Sequence, residues 1–167
     1  MSSRPIIIVD ENDSVVAHKT YDTYLSTDIY RVTALWVTNS AGDILLAQRK
    51  WTEYNDPGKW APAAAGTVEQ GETYEINMYK EAEEEIGITG MKFKLGPKRF
   101  VDGTRNKFFV QWYTVTLDRP VGEFVIQENE VERLEWLSRA QLAAQLVRDP
   151  EKFVPDASVS WPALFDL

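Results

Sequence analysis

A chain of 167 residues, 44% apolar and 26% charged, suits one folded domain with a hydrophobic core, and its lack of cysteine excludes disulfides, thiolate metal sites and cysteine nucleophiles. A formal net charge of −8 opposes binding to duplex nucleic acid and to anionic membrane surfaces. No run of about 18 apolar residues is present to cross a membrane, and the apolar stretch after Pro5 is too short for the core of a secretion signal, so a cytoplasmic location is expected.

In chain order, residues 6–10 and 15–21 read as two short strands around the turn Glu11-Asn12-Asp13-Ser14. Residues 30–37 are rich in β-branched and aromatic side chains and predict the next strand. Asn39-Ser40-Ala41-Gly42 predicts a turn into a partner strand over 44–48. Asn55-Asp56-Pro57-Gly58 reads as a loop, and a run of small residues follows over 61–66. Helical spacing over 72–86 stops at Gly87, a C-terminal cap. Residues 92–101 and 107–117 read as strands joined through Asp102-Gly103-Thr104, and 132–137 as a further short strand. Ser138 is suited to N-cap a helix over 139–147. The tail, 148–167, is rich in proline and aromatic residues and is expected to pack on the surface. The expected organisation is one domain over 1–167, with N-terminal strands in 1–29, the core in 30–147 and then the tail. Strands before and after one central helix predict an α/β sandwich with a mixed sheet.

Chemistry concentrates on that central helix. At about 100° per residue, Glu81, Glu84 and Glu85 share one sector of it. Ile76, Tyr79, Ala82 and Ile86 fall on the opposite side, so the helix is expected to bury an apolar face and expose the three carboxylates. Carboxylates at this spacing repel each other, and a hard divalent cation such as Mg²⁺ or Mn²⁺ would reverse that penalty. Spacing alone leaves a metal site and a solvated acidic face equally open.

The surrounding segment resembles the Nudix box. That pattern is a Gly, five residues, a Glu, seven residues, Arg-Glu, an aliphatic residue, any residue, Glu-Glu, any residue, Gly and an aliphatic residue. Gly66, Glu72, Glu81, Glu84, Glu85, Gly87 and Ile88 occupy their places, while Lys80 stands where the family has Arg and Ala82 where a larger aliphatic is usual. The resemblance implies a Nudix-type α/β/α sandwich. It also implies metal ligation by Glu81, Glu84, Glu85 and the Gly66 carbonyl, and support of the loop by Glu72. Catalytic roles fall to Glu81, Glu84 and Lys80, with Lys80 positioning the glutamates through a point charge rather than a planar fork. Glu69, Glu75 and Glu83 match no fixed position and read as surface charge.

Segments outside the box, among them Leu45-Leu46-Ala47-Gln48-Arg49 and Pro57-Gly58-Lys59-Trp60, are similar to the isopentenyl-diphosphate-isomerase-like branch of that family. The branch holds isomerases and hydrolases. The isomerase pattern needs a Cys before the box Gly, a His after it and further N-terminal histidines. Here Ala65 and Thr67 flank Gly66, and His18, the single histidine, reads as a strand or surface residue. The resemblance therefore implies a metal-dependent hydrolase using Mg²⁺ or Mn²⁺. Its substrate would be a small-molecule diphosphate, a nucleoside diphosphate or a compound linked to one, with no duplex nucleic acid and no membrane as partner; a homodimer is compatible. An isomerase and a non-catalytic nucleotide-binding module are the alternatives. Outside the box, Glu130, rather than Glu128, is the candidate base or extra ligand. Arg49 suits a phosphate or a surface salt bridge equally well. Trp51, Tyr54 and Trp60 suit base stacking or plain packing.

Overall fold

The computed structural model describes residues 4–103 and 105–167. Along it run β1 (Ile6–Val9), β2 (Val15–Lys19), β3 (Ile29–Thr38), β4 (Ile44–Arg49), β5 (Trp60–Pro62), β6 (Ala64–Thr67), α1 (Tyr74–Ile86), β7 (Lys94–Asp102), β8 (Lys107–Thr116), β9 (Val131–Leu137), α2 (Arg139–Arg148) and α3 (Ala157–Phe165). The mostly β-branched and aromatic β3 is the hub. It pairs in parallel with β8 along its whole length, from Ile29 opposite Lys107 to Thr38 opposite Thr116. Its other edge is shared in turn by β1, β6 and β4, all antiparallel. β9 and β5 extend the sheet from β4, β7 from β8 and β2 from β1. One parallel ladder in an antiparallel surround makes the sheet mixed.

Alternation along the strands sends side chains to two separate cores. Leu35 and Val37 of β3, with Leu45 and Ala47 of β4, pack under Met78, Ala82 and Ile86 of α1. Ala34, Trp36, Ile44 and Leu46 face the other way, toward Leu142 and Leu146 of α2 and Ala157 and Trp161 of α3. The result is the expected α/β/α sandwich around a mixed sheet. No helix among the described residues is long and apolar enough to cross a membrane.

Several elements differ from the sequence reading. β2 stops at Lys19, because Thr20 turns the chain through hydrogen bonds with Thr23. The small-residue run over 61–66 supplies most of β5 and β6. Its alanines carry little strand propensity but let α1 lie close to the sheet, and Ala63 and Ala64 are fully buried. β7 begins at Lys94, and its register slips between Leu95 and Lys98, around Gly96 and Pro97. Thr104, part of the expected turn after β7, lies outside the described residues. The tail is not surface packing. It forms α3, whose Trp161 is buried edge-on to Trp36 and Trp112, and whose Phe165 stacks on Trp36 with centroids 3.9 Å apart. Pro162 inside α3 removes a backbone bond, and burial of the aromatic rings offsets that loss.

Candidate active site

Two caps fix the phase of α1. The Thr73 hydroxyl accepts the Ile76 N–H at 3.1 Å, so the helix begins after Glu72 rather than at it. Gly87, at φ 67°, ends the helix: its N–H reaches the Glu83 carbonyl and that of Ile88 the Ala82 carbonyl. The phase differs from the expected division of faces. Ile76 is 55% exposed, whereas Glu85 is only 8% exposed. The acidic edge of α1 faces β6 rather than solvent, and Glu84 alone of the three box glutamates on this edge is exposed.

Gly66 is where β6 and α1 meet. A Cβ built on Gly66 would lie 2.2 Å from the Glu81 Cδ, so only glycine leaves room for that carboxylate. Asn77, one turn before Glu81 and fully buried, ties the parts together. Its Nδ2 shares two protons among the Thr67 carbonyl at 3.1 Å, Glu72 Oε2 at 2.9 Å and Glu81 Oε1 at 3.1 Å. Its Oδ1 accepts from the Thr33 hydroxyl of β3. Lys80 Nζ lies 3.0 Å from Glu72 Oε1, 3.3 Å from Glu81 Oε1 and 3.7 Å from Glu69 Oε2. Glu72 also accepts the Glu69 N–H. Glu69, expected as surface charge, is buried at 4% exposure, because its loop tucks against β1 through Ile7 to Val68 and Gln70 to Pro5 backbone bonds. Glu75 and Glu83 are exposed. The sequence reading missed Asn77. The available signal was a polar residue one helical turn before Glu81 on an otherwise buried stripe.

Arg49, Ala65, Glu85 and Glu130 line a cleft of about 20 Å³ together with Gln48 and Pro62, enough for about one water. Glu85 Oε2 accepts the Ala65 N–H at 2.9 Å. Arg49 lines this cleft, donates to the Asn55 carbonyl at 2.9 Å and pairs with Glu53 at 3.0 Å. Glu130 accepts from Gln127 at 3.1 Å, and Glu128 is exposed beside it. Trp60 packs in the α2/α3 core beneath Arg133, so it cannot stack a base. The exposed Trp51 lies against Gly58. His18 is exposed on β2.

The electrostatics divide these carboxylates into two groups. Burial would raise Glu72, but the Glu69 amide, Lys80 and Asn77 outweigh it and hold the carboxyl below its ordinary range. Burial pushes Glu81 up to about 7, with Glu84 and Glu130 adding to the effect against Lys80. Glu85 is driven well above the carboxylate range by burial and then by Glu81. Glu130 is raised by burial and by Glu53. Burial opposes the Lys80 charge, yet Glu72, Glu81 and Glu69 hold its ammonium strongly. Glu81, Glu85 and Glu130 are thus short of positive charge, and their hard oxygen donors suit a divalent cation. Among the described residues no three acidic side chains converge on one point: Glu81 turns to Lys80 and Asn77, and Glu85 to Ala65. The match to such an ion therefore rests on donor chemistry and on the close approach of the Glu81 carboxylate to the Gly66 backbone, which a side chain at 66 would block.

Residues 29–157 match the family model described as NUDIX domain. The chain is 27% identical over 157 residues to the Nudix hydrolase YPO2781 of Yersinia pestis, covering 90% of this chain and 79% of that one. The crystal structure of DR0079 from Deinococcus radiodurans has the same fold, with a TM-score of 0.84 at 22% identity over 96% of this chain and 99% of that one. The NUDIX domain of Shewanella oneidensis NrtR, solved with ADP-ribose, aligns with a TM-score of 0.59 at 15% identity, covering 75% and 79%. The family model spans most of the chain, so this protein belongs to the Nudix family, as a hydrolase acting on phosphorus-containing acid anhydrides.

Proposed function

We propose that the protein is a metal-dependent hydrolase that cuts the diphosphate linkage of a nucleoside diphosphate or a compound linked to one. The observation that carries this reading is the pair of charge-deficient carboxylates on one edge of α1: Glu81, half-buried against Gly66, and Glu85, buried and lining a cleft that Arg49 and Glu130 share. The ADP-ribose bound to the NrtR domain is a nucleoside-diphosphate compound in the same fold. A Mg²⁺ or Mn²⁺ ion held by Glu81, Glu84, Glu85 and the Gly66 carbonyl would neutralise the diphosphate and acidify water.

The chain's own residues supply the rest. A water oxygen attacks one phosphorus, the bond from that phosphorus to the bridging oxygen breaks, and the bridging oxygen leaves with the electron pair on the second phosphate. The water's proton goes to a carboxylate. Glu130 is the best placed, because it lines the cleft and burial raises its proton affinity. Arg49 would exchange its Glu53 partner for a phosphate oxygen. Asn77 and Lys80 hold Glu81 in place from behind. Alkene isomerisation finds no such support: Ala65 and Thr67 flank Gly66, and His18 is out on β2.

The test is a screen of nucleoside diphosphates, triphosphates, nucleotide sugars and dinucleotides with Mg²⁺ or Mn²⁺. Phosphate or nucleotide release should require the cation, stop with EDTA and collapse in Glu84→Gln and Glu130→Gln. No cation-dependent release from any of these compounds would refute the reading.

A further inference from the structure

Asn77 is costly where it stands. It lies inside α1 and is fully buried. Asparagine is a poor helix former, and a buried amide is tolerated only when its hydrogen bonds are made. Here both ends of the amide are engaged. Three acceptors surround Nδ2 and the Thr33 hydroxyl meets Oδ1, so one orientation of the amide satisfies its neighbours. Thr33 stands across the β3–β6 ladder from Gly66, so its side chain shares the face on which Gly66 leaves its gap. Nδ2 is thereby aimed at Glu72 Oε2, 2.9 Å away, and at Glu81 Oε1, 3.1 Å away.

Lys80 holds the same two carboxylates, at 3.0 Å from Glu72 Oε1 and 3.3 Å from Glu81 Oε1. An ammonium on a flexible stem neutralises them but sets no angle between them. The arginine that the box pattern has at this position is a planar fork, which can hold two oxygens in a set relation. In this chain the planar, directional donor is the Asn77 amide. On Glu72 the two donors take one oxygen each. On Glu81 both fall on Oε1, which leaves Oε2 for a ligand bond.

We propose that Asn77 is a positioning residue that supplies the directional hold Lys80 lacks: oriented by Thr33, it ties Glu81 to Glu72 and turns the second oxygen of Glu81 toward a divalent cation. The inference rests on the hydrolase reading above and names what holds its ligand in register. Asn77 acts only through Glu81. If amide and ammonium divide one task, the two positions are coupled, and a fork at position 80 makes the amide at position 77 dispensable.

The test is a double-mutant cycle of Asn77→Ala and Lys80→Arg. Its first readout is Mn²⁺ binding to the folded protein, followed by the EPR signal of the free ion with no substrate present. Asn77→Ala alone should weaken binding by about tenfold or more. The same exchange in the Lys80→Arg background should weaken it by about twofold or less. With the best substrate of the compound screen, Asn77→Ala should lower turnover at subsaturating Mn²⁺ by a similar factor, and KM at saturating Mn²⁺ should hardly move. An amide that served packing alone would lower the urea midpoint in EDTA and leave the Mn²⁺ affinity of the folded variant intact. Should Asn77→Ala fail to fold, Thr33→Val takes its place in the cycle. It keeps the shape of residue 33 and releases the amide, so it should weaken Mn²⁺ binding by about three- to tenfold, again recovered by Lys80→Arg. Equal losses in both backgrounds, or an unchanged Mn²⁺ affinity, would overturn the proposal and leave the hydrolase reading standing. A parent protein that binds no Mn²⁺ would instead strike the metal-dependent reading, and the positioning role with it.

Discussion

At the scale of single residues the site is built from groups that cost stability. Glu85 is buried with one backbone amide for a partner and Glu81 close by. In Glu85→Gln the side-chain carbonyl can still accept the Ala65 N–H, and the buried charge disappears. Turnover should fall by about a hundredfold or more, because a candidate ligand is lost. The metal-free variant should nonetheless melt higher, by roughly 2–4 °C for a gain of about 1 kcal/mol. Phosphate release and a thermal melt in EDTA check both halves. A variant that keeps its activity, or one that melts well below the parent, would mean that Glu85 serves packing rather than chemistry. Asn77 shows the converse arrangement: a neutral buried amide whose hydrogen-bonding groups are all engaged, holding Glu72 and Glu81 in place.

At the scale of elements, function depends on how closely α1 approaches β6, and stability on how α3 closes the opposite face. Trp161 contacts Trp36, Trp112 and Phe153 edge-on, so Trp161→Ala should cost about 3–5 kcal/mol. Urea unfolding should show the midpoint collapse, whereas a loss under 1 kcal/mol would place the tail on the surface after all. These two elements also mark where the sequence was opaque. The caps of α1 at Gly87 and of α2 at Ser138 were legible because capping is local chemistry, and the capping box formed with Gln141 follows from four consecutive residues. β3 was legible from its β-branched and aromatic side chains, and β4 from the turn that leads into it. β6 was not, since Ala64, Ala65 and Gly66 are chosen for the helix that lies on them and carry no strand signature. α3 was hidden because Ala-Ser-Val-Ser-Trp-Pro-Ala-Leu-Phe has no clear amphipathic period and contains a proline. The box letters gave the identity of the glutamates but not their burial. Which edge of α1 faces the sheet is decided by packing, and Ile76 rather than Glu85 was left to solvent.

At the scale of the whole molecule, two linkages report on the arrangement. The first is a clamp between the β1–β2 turn, β3, α1 and β7. Asp13 accepts from Arg31 at 2.7 Å, from Lys98 at 2.6 Å and from the Tyr74 hydroxyl at 3.1 Å. Burial works to raise the Asp13 pKa, but Lys98 and Arg31 outweigh it and the carboxyl lies below its ordinary range. A depressed folded-state value stabilises the fold above the unfolded pKa, and that contribution is lost as pH falls through the folded value. Asp13→Asn should therefore be less stable than the parent at pH 7, and the gap in urea midpoints should narrow steadily below about pH 5. A gap that stays constant down to pH 3 would mean the clamp does not depend on charge. The second linkage is to the divalent cation. Glu81, Glu85 and Glu130 gather negative charge with too few cations to balance it, so a bound ion should stabilise the folded state over an unfolded chain in which these groups are scattered. At a hundred times the dissociation constant the gain is about 2.7 kcal/mol, which for a chain of this length is a rise in melting temperature of roughly 5–10 °C. General screening of the net charge would also raise the melt, so the comparison is with NaCl at matched ionic strength. Mg²⁺ or Mn²⁺ should raise the melting temperature well beyond the NaCl control, and Glu85→Gln, starting higher, should respond much less. Equal shifts with sodium and with the divalent ions, or an undiminished response in Glu85→Gln, would remove the cation from these glutamates.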